Sequence, residues 1–321
     1  MTKEIDRKIA KKFASSKRIL IVSHVRPDAD AVGSLLGLGL ALKNIGKNVQ
    51  MILEDGIDKY GYLPGSDSVS RAPQGEIDMV IVVDCSDPHR VGKVLAGYNA
   101  IDLVVDHHKT NIKFGNLNII EPEQAATAAI LYDHMPHWGL SFNPQIATCL
   151  LSGIVGDTIG FRTSNVNSNL MRKAGALMDL GADLSDIYRS ELVLKSFNSI
   201  RYWGRGLNRV QCEDGLVWTS LSLSDRKKIG YPGNDDADLV NVLSAVQETQ
   251  IALIFVEQSQ DKIKVSWRAQ PGWDVSDIAF KFGGGGHAAA SGADVKGTLE
   301  DVQERVIIET RKLLAEKMKE A

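Results

Sequence analysis

Cysteine is scarce and unpatterned in this sequence. There are three, Cys85, Cys149 and Cys212, an odd number with no CxxC spacing, and the simplest reading is free thiols in a reducing compartment. No run of about 18 apolar residues occurs, so no transmembrane helix is expected. The opening "MTKEIDRKIAKKFASSK" is basic but has no apolar core, so it does not read as a signal peptide. Together these point to the cytoplasm and to no membrane partner. Positive charge is not in excess either. The net charge is −3, which argues against long duplex nucleic acid, because that binding draws on a broad basic surface. Short nucleotides held by a few local cations remain compatible. Neither low-complexity tracts nor internal repeats are present, and 321 residues suffice for about two domains.

What is present is an alternation of short apolar runs with helical patterns. "RILIVS" (18–23), "VQMILE" (49–54), "IDMVIVVD" (77–84) and "IDLVVD" (101–106) are continuous apolar stretches, as in strands buried on both faces. Leucines at helical spacing follow in "GSLLGLGLALKNIG", closed by Gly46, and helical patterns recur at 123–135, 144–155 and 167–181. The pattern predicts an α/β fold whose N-terminal domain is a parallel sheet with helices on both faces. Residues 1–185 form that domain, 186–206 a helical linker, and 207–321 a smaller α+β domain. The last of these holds strands at "QIALIFVEQ" and "DKIKVSWRA", a glycine-rich loop "FGGGGH" and a terminal helix at 298–319.

Acidic and imidazole groups gather where the apolar runs stop. "HVRPDADAVGS" places His24, Asp28 and Asp30 behind the first run, with Pro27 keeping the loop out of helix. The third run ends in Asp84, the fourth in Asp106–His107–His108, and the later segment "LLSGIVGDTIGFRT" delivers Asp157. The carboxyl ends of parallel strands open on one edge, where ligands sit. Carboxylates collected there repel by several kcal/mol per close pair in a partly dry site and require cations. Two divalent metals balance Asp28, Asp30, Asp84 and Asp157, and mixed carboxylate and imidazole ligands suit Mn²⁺ best, with Mg²⁺, Co²⁺ or Zn²⁺ as alternatives. Singly, each aspartate also reads as a helix cap or turn residue. A calcium loop is excluded, since Val32 and Gly39 stand where carboxylates belong.

The set "HVRPDADAVGS", "VVDCSDPHRVG", "DHH", "GDTIGFRT" and "GGGGH" resembles the DHH phosphoesterase family with its associated C-terminal domain. Within it, size and layout are most similar to the branch of bifunctional oligoribonucleases and pAp phosphatases (nanoRNases), with cyclic-dinucleotide phosphodiesterases nearby. The resemblance implies that His24 and Asp28 bind one metal and Asp30, His107 and Asp157 the other, with Asp84 bridging. It implies that Asp106 orients an imidazole, that His108 contacts the scissile phosphate, that Gly284, Gly285 and Gly286 bring His287 to phosphate, and that Arg268 grips the substrate. A metal-bridging water acidified to hydroxide would attack phosphorus in line, and His108, Arg268 and His287 would meet the added negative charge. Successive glycines let backbone N–H groups approach a phosphate. A homodimer, and closure of the two domains on substrate, are further implications.

Other residues carry less. Arg90 and Arg162 read as site-supporting cations or surface arginines, and His89 fits no ligand role. His134 and His137 in "DHMPHWG" read as surface residues at a helix end broken by Pro136. Trp203, Trp267 and Trp273 suit base stacking or ordinary packing, and "RKK" (226–228) reads as a solvated helix face. The substrate class that fits is a pAp-like bisphosphate or an oligoribonucleotide of two to five residues. Inorganic pyrophosphate and a non-catalytic nucleotide sensor are the alternatives.

Overall fold

The computed structural model describes residues 2–98 and 100–320. The chain divides into two compact units, and the division falls between Leu194 and Lys195. The first unit runs through helix α1 (Thr2–Ser15), strand β1 (Arg18–Val22), helix α2 (Ala29–Asn44), and strands β2 (Asn48–Ile52), β3 (Val69–Ser70), β4 (Met79–Val83), β5 (Leu103–Asp106) and β6 (Leu117–Ile120). It continues with helices α3 (Thr127–His134), α4 (Pro144–Asp157), α5 (Ser168–Asp179) and α6 (Leu184–Tyr188). All six strands are parallel, in the order β3-β2-β1-β4-β5-β6.

Burial on both faces explains the unbroken apolar runs. Ile19, Ile21, Met51, Ile81 and Val105 point to one face, into a core shared with residues of α1 to α5. Leu20, Val22, Ile52, Val80, Val82 and Val104 point to the other, packed with Val91 and Val94 from the 3₁₀ segment Pro88–Leu95. Strand order reverses between β1 and β4, and in open parallel sheets ligands bind at the carboxyl ends beside such a reversal. The chain enters that crevice at His24 after β1 and at Asp84 after β4.

Helix α2 is buried from Ala29 through Gly39, because it is apolar all round and packs between the sheet and α4. Its approach to α4 is close enough to require glycine. A Cβ on Gly33 would lie 2.4 Å from the carbonyl oxygen of Cys149, and one on Gly156 would lie 2.4 Å from the Cβ of Ala29. The helices run in opposite directions, so the first turn of α2 lies beside the last turn of α4.

The helical pattern around 186–206 is realised in pieces: α6, a π-helical turn over Arg189–Val193, an extended Leu194, and helix α7 (Phe197–Leu207). The second unit continues with β7 (Gln211–Glu213), β8 (Leu216–Leu221), α8 (Leu223–Ile229), α9 (Leu239–Leu243), β9 (Ile251–Ser259), β10 (Lys262–Ala269), α10 (Ser276–Lys281), β11 (Gly285–His287), β12 (Ala290–Lys296) and α11 (Leu299–Glu320). Its sheet has the order β11-β12-β10-β9-β8-β7, antiparallel except for β8 with β9. Trp267, Phe255 and Leu253 of one face share a core with Val302 and Val306 of α11. On the other face, Ile254 and Val256 pack with Tyr202, Leu239 and Val240.

Among the described residues, no helix is long and apolar enough to cross a membrane. The α2–α4 approach yields a direct test. Gly33→Ala should destabilise the protein by about 1–3 kcal/mol through overpacking, read as a lowered urea midpoint. An unchanged midpoint would show that the helices separate at no cost.

Candidate metal centre

The centre is built around Asp84, whose backbone adopts φ +52° directly after β4. A non-glycine residue in this left-handed region is strained and persists only where its surroundings enforce it. Here the Asp84 N–H donates to the carbonyl of Val105 (2.9 Å), and Thr127 Oγ1 donates to Asp84 Oδ1 (3.0 Å). The turn sends the carboxylate into the crevice between the ends of β1 and β5.

Two groups of side chains meet on that carboxylate. His24, Asp28 and Asp84 each offer a ligand atom within 4.8 Å of the others, and so do Asp30, Asp84 and His107. In the first group, His24 Nε2 lies 3.5 Å from Asp84 Oδ2 and 3.8 Å from Asp28 Oδ2. In the second, His107 Nε2 lies 3.0 Å from Asp157 Oδ2, 3.6 Å from Asp84 Oδ1 and 3.9 Å from Asp30 Oδ2. One oxygen of Asp84 faces each group.

Neighbouring backbone fixes the direction of His24, His107, Asp28 and Asp30. His24 Nδ1 donates to the carbonyl of Val25 (2.9 Å) and His107 Nδ1 to the carbonyl of Gln124 (3.3 Å). A carbonyl only accepts, so Nδ1 carries the proton in both rings and Nε2 faces the carboxylates. Asp28 caps α2, its Oδ1 accepting from the N–H groups of Asp30 (3.1 Å) and Ala31 (3.0 Å), while Oδ2 faces His24. The cap occupies Oδ1 and leaves the ligand reading of Asp28 compatible with it. Asp30 was expected in an irregular loop after Pro27. It sits instead in the first turn of α2, because Asp28 starts the helix as soon as the proline has been passed. Its carboxylate accepts from Thr127 N–H (2.6 Å), Ala128 N–H (2.9 Å) and Ser34 Oγ (3.2 Å). Asp157 likewise does not follow a strand but ends helix α4; the glycine contacts of α2 with α4 bring it to Asp30. A Cβ on Gly153 would lie 2.7 Å from Asp30 Oδ1.

Electrostatics favours cations here. Asp30 is fully buried and Asp84 is 1% exposed. Burial, together with the charges of Asp84 and Asp157, pushes the Asp30 carboxyl well above the usual carboxylate range. Burial also works against ionised Asp84, but the hydrogen bond from His24 and the charges of His108 and His107 outweigh it, so its pKa is lowered. The carbonyl end of α4 adds partial negative charge. Carboxylate oxygens with inward imidazole nitrogens form a donor set that fits two divalent ions sharing Asp84.

Asp106 and His108 stand beside this set. Asp106 is fully buried, and both of its oxygens are engaged: Oδ1 accepts from His108 Nδ1 (2.7 Å) and Oδ2 from Asn111 Nδ2 (2.6 Å). Its hydrogen bond orients the imidazole of His108, and Asp84, Asp106 and His108 also offer ligand atoms within 4.8 Å of one another.

In the second unit, strand register relates the remaining residues. Arg268 on β10 is opposite Ala290 on β12, and Ala290 is opposite His287 on β11. Residues directly opposite across a ladder share a face, so Arg268 and His287 flank a small alanine in one row. Asn241 Oδ1 accepts from Arg268 Nε (2.9 Å), and the carbonyl of Trp267 accepts from its Nη1 (2.9 Å). The glycine segment differs from the expected loop: Gly285, Gly286 and His287 form an edge strand. A Cβ on Gly284 would lie 2.0 Å from the carbonyl oxygen of Gly292, so close approach to β12 requires that glycine. The N–H groups of Gly283 and Gly284 donate to Phe280 and Ala279 carbonyls and are thereby engaged within the unit, whereas a side chain at Gly285 would meet open space.

His134, read from sequence as a surface residue, is 4% exposed and bonded through both ring nitrogens to carboxylates of Asp6 and Glu121. The 3₁₀ segment Met135–Trp138 that follows α3 packs Trp138 against Phe13 of α1. His137, His89, Arg90 and Arg162 are exposed. Trp267 is buried core, and Trp203 donates to the carbonyl of Ala237. Sequence reading missed Thr127, Gln124 and Asn111; nothing in "EPEQAATAA" announces its contacts with the site.

The parallel sheet, and the acids and imidazoles at its reversal, define a class, and the chain belongs to the DHH family. Residues 18–154 match the DHH family, N-terminal domain, and residues 227–319 match the DHHA1 domain. The chain is 33% identical over 302 residues to the bifunctional oligoribonuclease and PAP phosphatase NrnA of Thermus thermophilus, with 92% of this chain and 90% of that one covered. Cyclic-di-AMP phosphodiesterase PdeA of Listeria monocytogenes is 24% identical, with 92% of this chain covered but 47% of PdeA. Among solved structures, an exopolyphosphatase-related protein from Bacteroides fragilis has a TM-score of 0.87 and 25% identity, with 97% and 98% of the two chains covered.

Metal binding by these groups would depend on pH. Burial opposes the charged forms of His24 and His107, but Asp84 for the first and Asp157 for the second raise both pKa values. Without cations, the stability this supplies is complete below about pH 6.5 and fades as pH rises through the raised values. Cations must displace those protons. The rise in melting temperature on adding Mn²⁺ should therefore be larger at pH 8 than at pH 6, measured against chelator-treated protein. An equal or smaller rise at pH 8 would contradict the assignment.

Proposed function

We propose that this protein is a metal-dependent phosphoesterase that hydrolyses short nucleotides: pAp-like 3′,5′-bisphosphates, oligoribonucleotides of two to five residues, and linear or cyclic dinucleotides. The observation that carries the proposal is the pair of ligand groups sharing Asp84. His24, Asp28 and Asp84 would hold one ion, and Asp84, Asp30, His107 and Asp157 the other, with Mn²⁺ the ion best suited to this donor set. Support for the substrate class comes from the relatives, named as an oligoribonuclease and PAP phosphatase and as a cyclic-di-AMP phosphodiesterase.

When bound, the ions supply positive charge to the phosphoryl oxygens and acidify water for in-line attack on phosphorus. The chain's own groups do the remaining work. His108, oriented by Asp106 and through it by Asn111, donates a hydrogen bond to the phosphate under attack. Arg268, held by Asn241, and His287 in the same row bind substrate phosphate, and Gly285 leaves room beside them. Residues 1–185 carry the chemistry in this reading and 207–321 the substrate, with 186–206 linking them. A cytoplasmic location belongs to the same proposal, supported by three free thiols, as does a homodimer.

Turnover of pAp, pApA, cyclic di-AMP, pyrophosphate and a 24-mer with Mn²⁺ tests the proposal. Hydrolysis of the short nucleotides is expected; turnover of pyrophosphate alone, or of nothing with metal bound, would replace it with the pyrophosphatase or the sensor. Asp84→Ala should abolish activity and metal occupancy. Arg268→Ala should raise KM by about 10- to 100-fold, the worth of a charge-assisted hydrogen bond of about 1.5–3 kcal/mol, while metal titration stays as in wild type.

A further inference from the structure

We propose that His134, with Asp6 and Glu121, is a positioning network for the metal ligand His107, acting through the segment that joins β6 to α3. His134 Nδ1 lies 2.7 Å from Asp6 Oδ1, and Nε2 lies 2.9 Å from Glu121 Oε1. Carboxylates only accept, so both ring nitrogens donate and the side chain is an imidazolium between two anions. Burial opposes that charge, and Glu121 and Asp6 more than restore it, raising the His134 pKa. Asp6 also accepts from Trp138 Nε1 (2.8 Å). Asp6 and His134 are each 4% exposed. Buried ion groups of this kind add little net stability compared with apolar residues of the same volume, so the fold alone does not call for them.

The connection to the centre runs through Glu121 and Gln124. Glu121 Oε2 accepts from Gln124 Nε2 (3.3 Å), and the Glu121 N–H donates to the carbonyl of Asp106 (3.0 Å). Gln124 N–H donates to the carbonyl of Glu121 (3.0 Å), and the Gln124 carbonyl receives His107 Nδ1–H (3.3 Å). A second buried cation holds the same residue from its other side: Lys173 Nζ donates to Gln124 Oε1 (3.0 Å) and to the carbonyl of Ala129 (3.3 Å), and pairs with Asp133. Three and four residues farther on, Thr127 and Ala128 give their N–H groups to Asp30. One peptide segment thus sets the direction of His107 and Asp30, and His134 and Lys173 pin it. Asp6 lies before residue 18, where the family match begins, so α1 enters the support of the centre through this network.

The inference rests on His107 and Asp30 being metal ligands. Mn²⁺ and Co²⁺ titrations of wild type, His107→Ala, His134→Gln and Asp6→Asn test it, with the melting temperature of chelator-treated protein measured alongside. His134→Gln should weaken the affinity of one metal by a few-fold up to about 10-fold, the low end of the loss that follows removal of a ligand's direct partner. It should also shift the visible absorption of bound Co²⁺. Asp6→Asn, which keeps an acceptor and removes one charge, should move both readouts in the same direction by a smaller factor. Unchanged metal affinity and Co²⁺ spectrum in both variants, with only the melting temperature lowered, would reduce the network to a tie between α1 and the sheet and overturn the inference. A wild type that binds no metal, or a His107→Ala variant that still binds two, would overturn the ligand assignment itself.

Discussion

Concentrated negative charge in a place that water does not reach is the constraint from which the rest of the first unit follows. Two unit charges about 4 Å apart at an effective dielectric near 20 interact by about 4 kcal/mol, a large fraction of the 5–15 kcal/mol that keeps a domain folded. Asp30, Asp84 and Asp106 all lie in that environment. Each is met by a different device: helix-terminal amides for Asp30, a strained turn and a threonine hydroxyl for Asp84, an imidazole and an amide side chain for Asp106. None of these supplies a full balancing charge for the group around Asp84. The sheet reversal, the α2–α4 approach and the imidazole tautomers all converge on one carboxylate, in a setting whose charge favours cations.

Much of this was legible in the sequence because parallel strands buried on both faces leave a plain signature. β1, β4 and β5 lie within the apolar runs that announced them, β2 begins one residue before its run, and the acids after the first, third and fourth runs are among those that meet. What could not be read depends on packing between segments distant in sequence. Asp157 reaches the centre because Gly33 and Gly153 let two helices touch, and a glycine in a helical pattern does not say what it lies against. β3 and β6 are short, with few fully buried side chains, so they lack the pattern that marks their neighbours. β12, "ASGADVK", has mostly small residues in place of branched ones, so it too lacks the apolar signature of a buried strand.

The glycine-rich segment shows how one motif admits two physical readings. Bare backbone can approach a phosphate, and bare backbone can also approach another strand. The contacts of Gly284 and Gly286 with β12 belong to the second kind, and they set the register that aligns His287 with Arg268. A side chain at Gly285 would meet open space, which suits the first. His134 makes a parallel point about histidine: a proline two residues later suggests exposure, yet an aspartate in the first helix and a glutamate after β6 enclose the ring.

Asp28 gives two services with two oxygens, starting a helix with one and facing His24 with the other. Its near-isosteres separate those services. Asparagine keeps an oxygen for the helix start but surrenders the anion, and glutamate keeps the anion but sets it one methylene too far to close the turn. Geometry and charge thus constrain this position together, because the beginning of α2 and the anion facing His24 belong to one side chain.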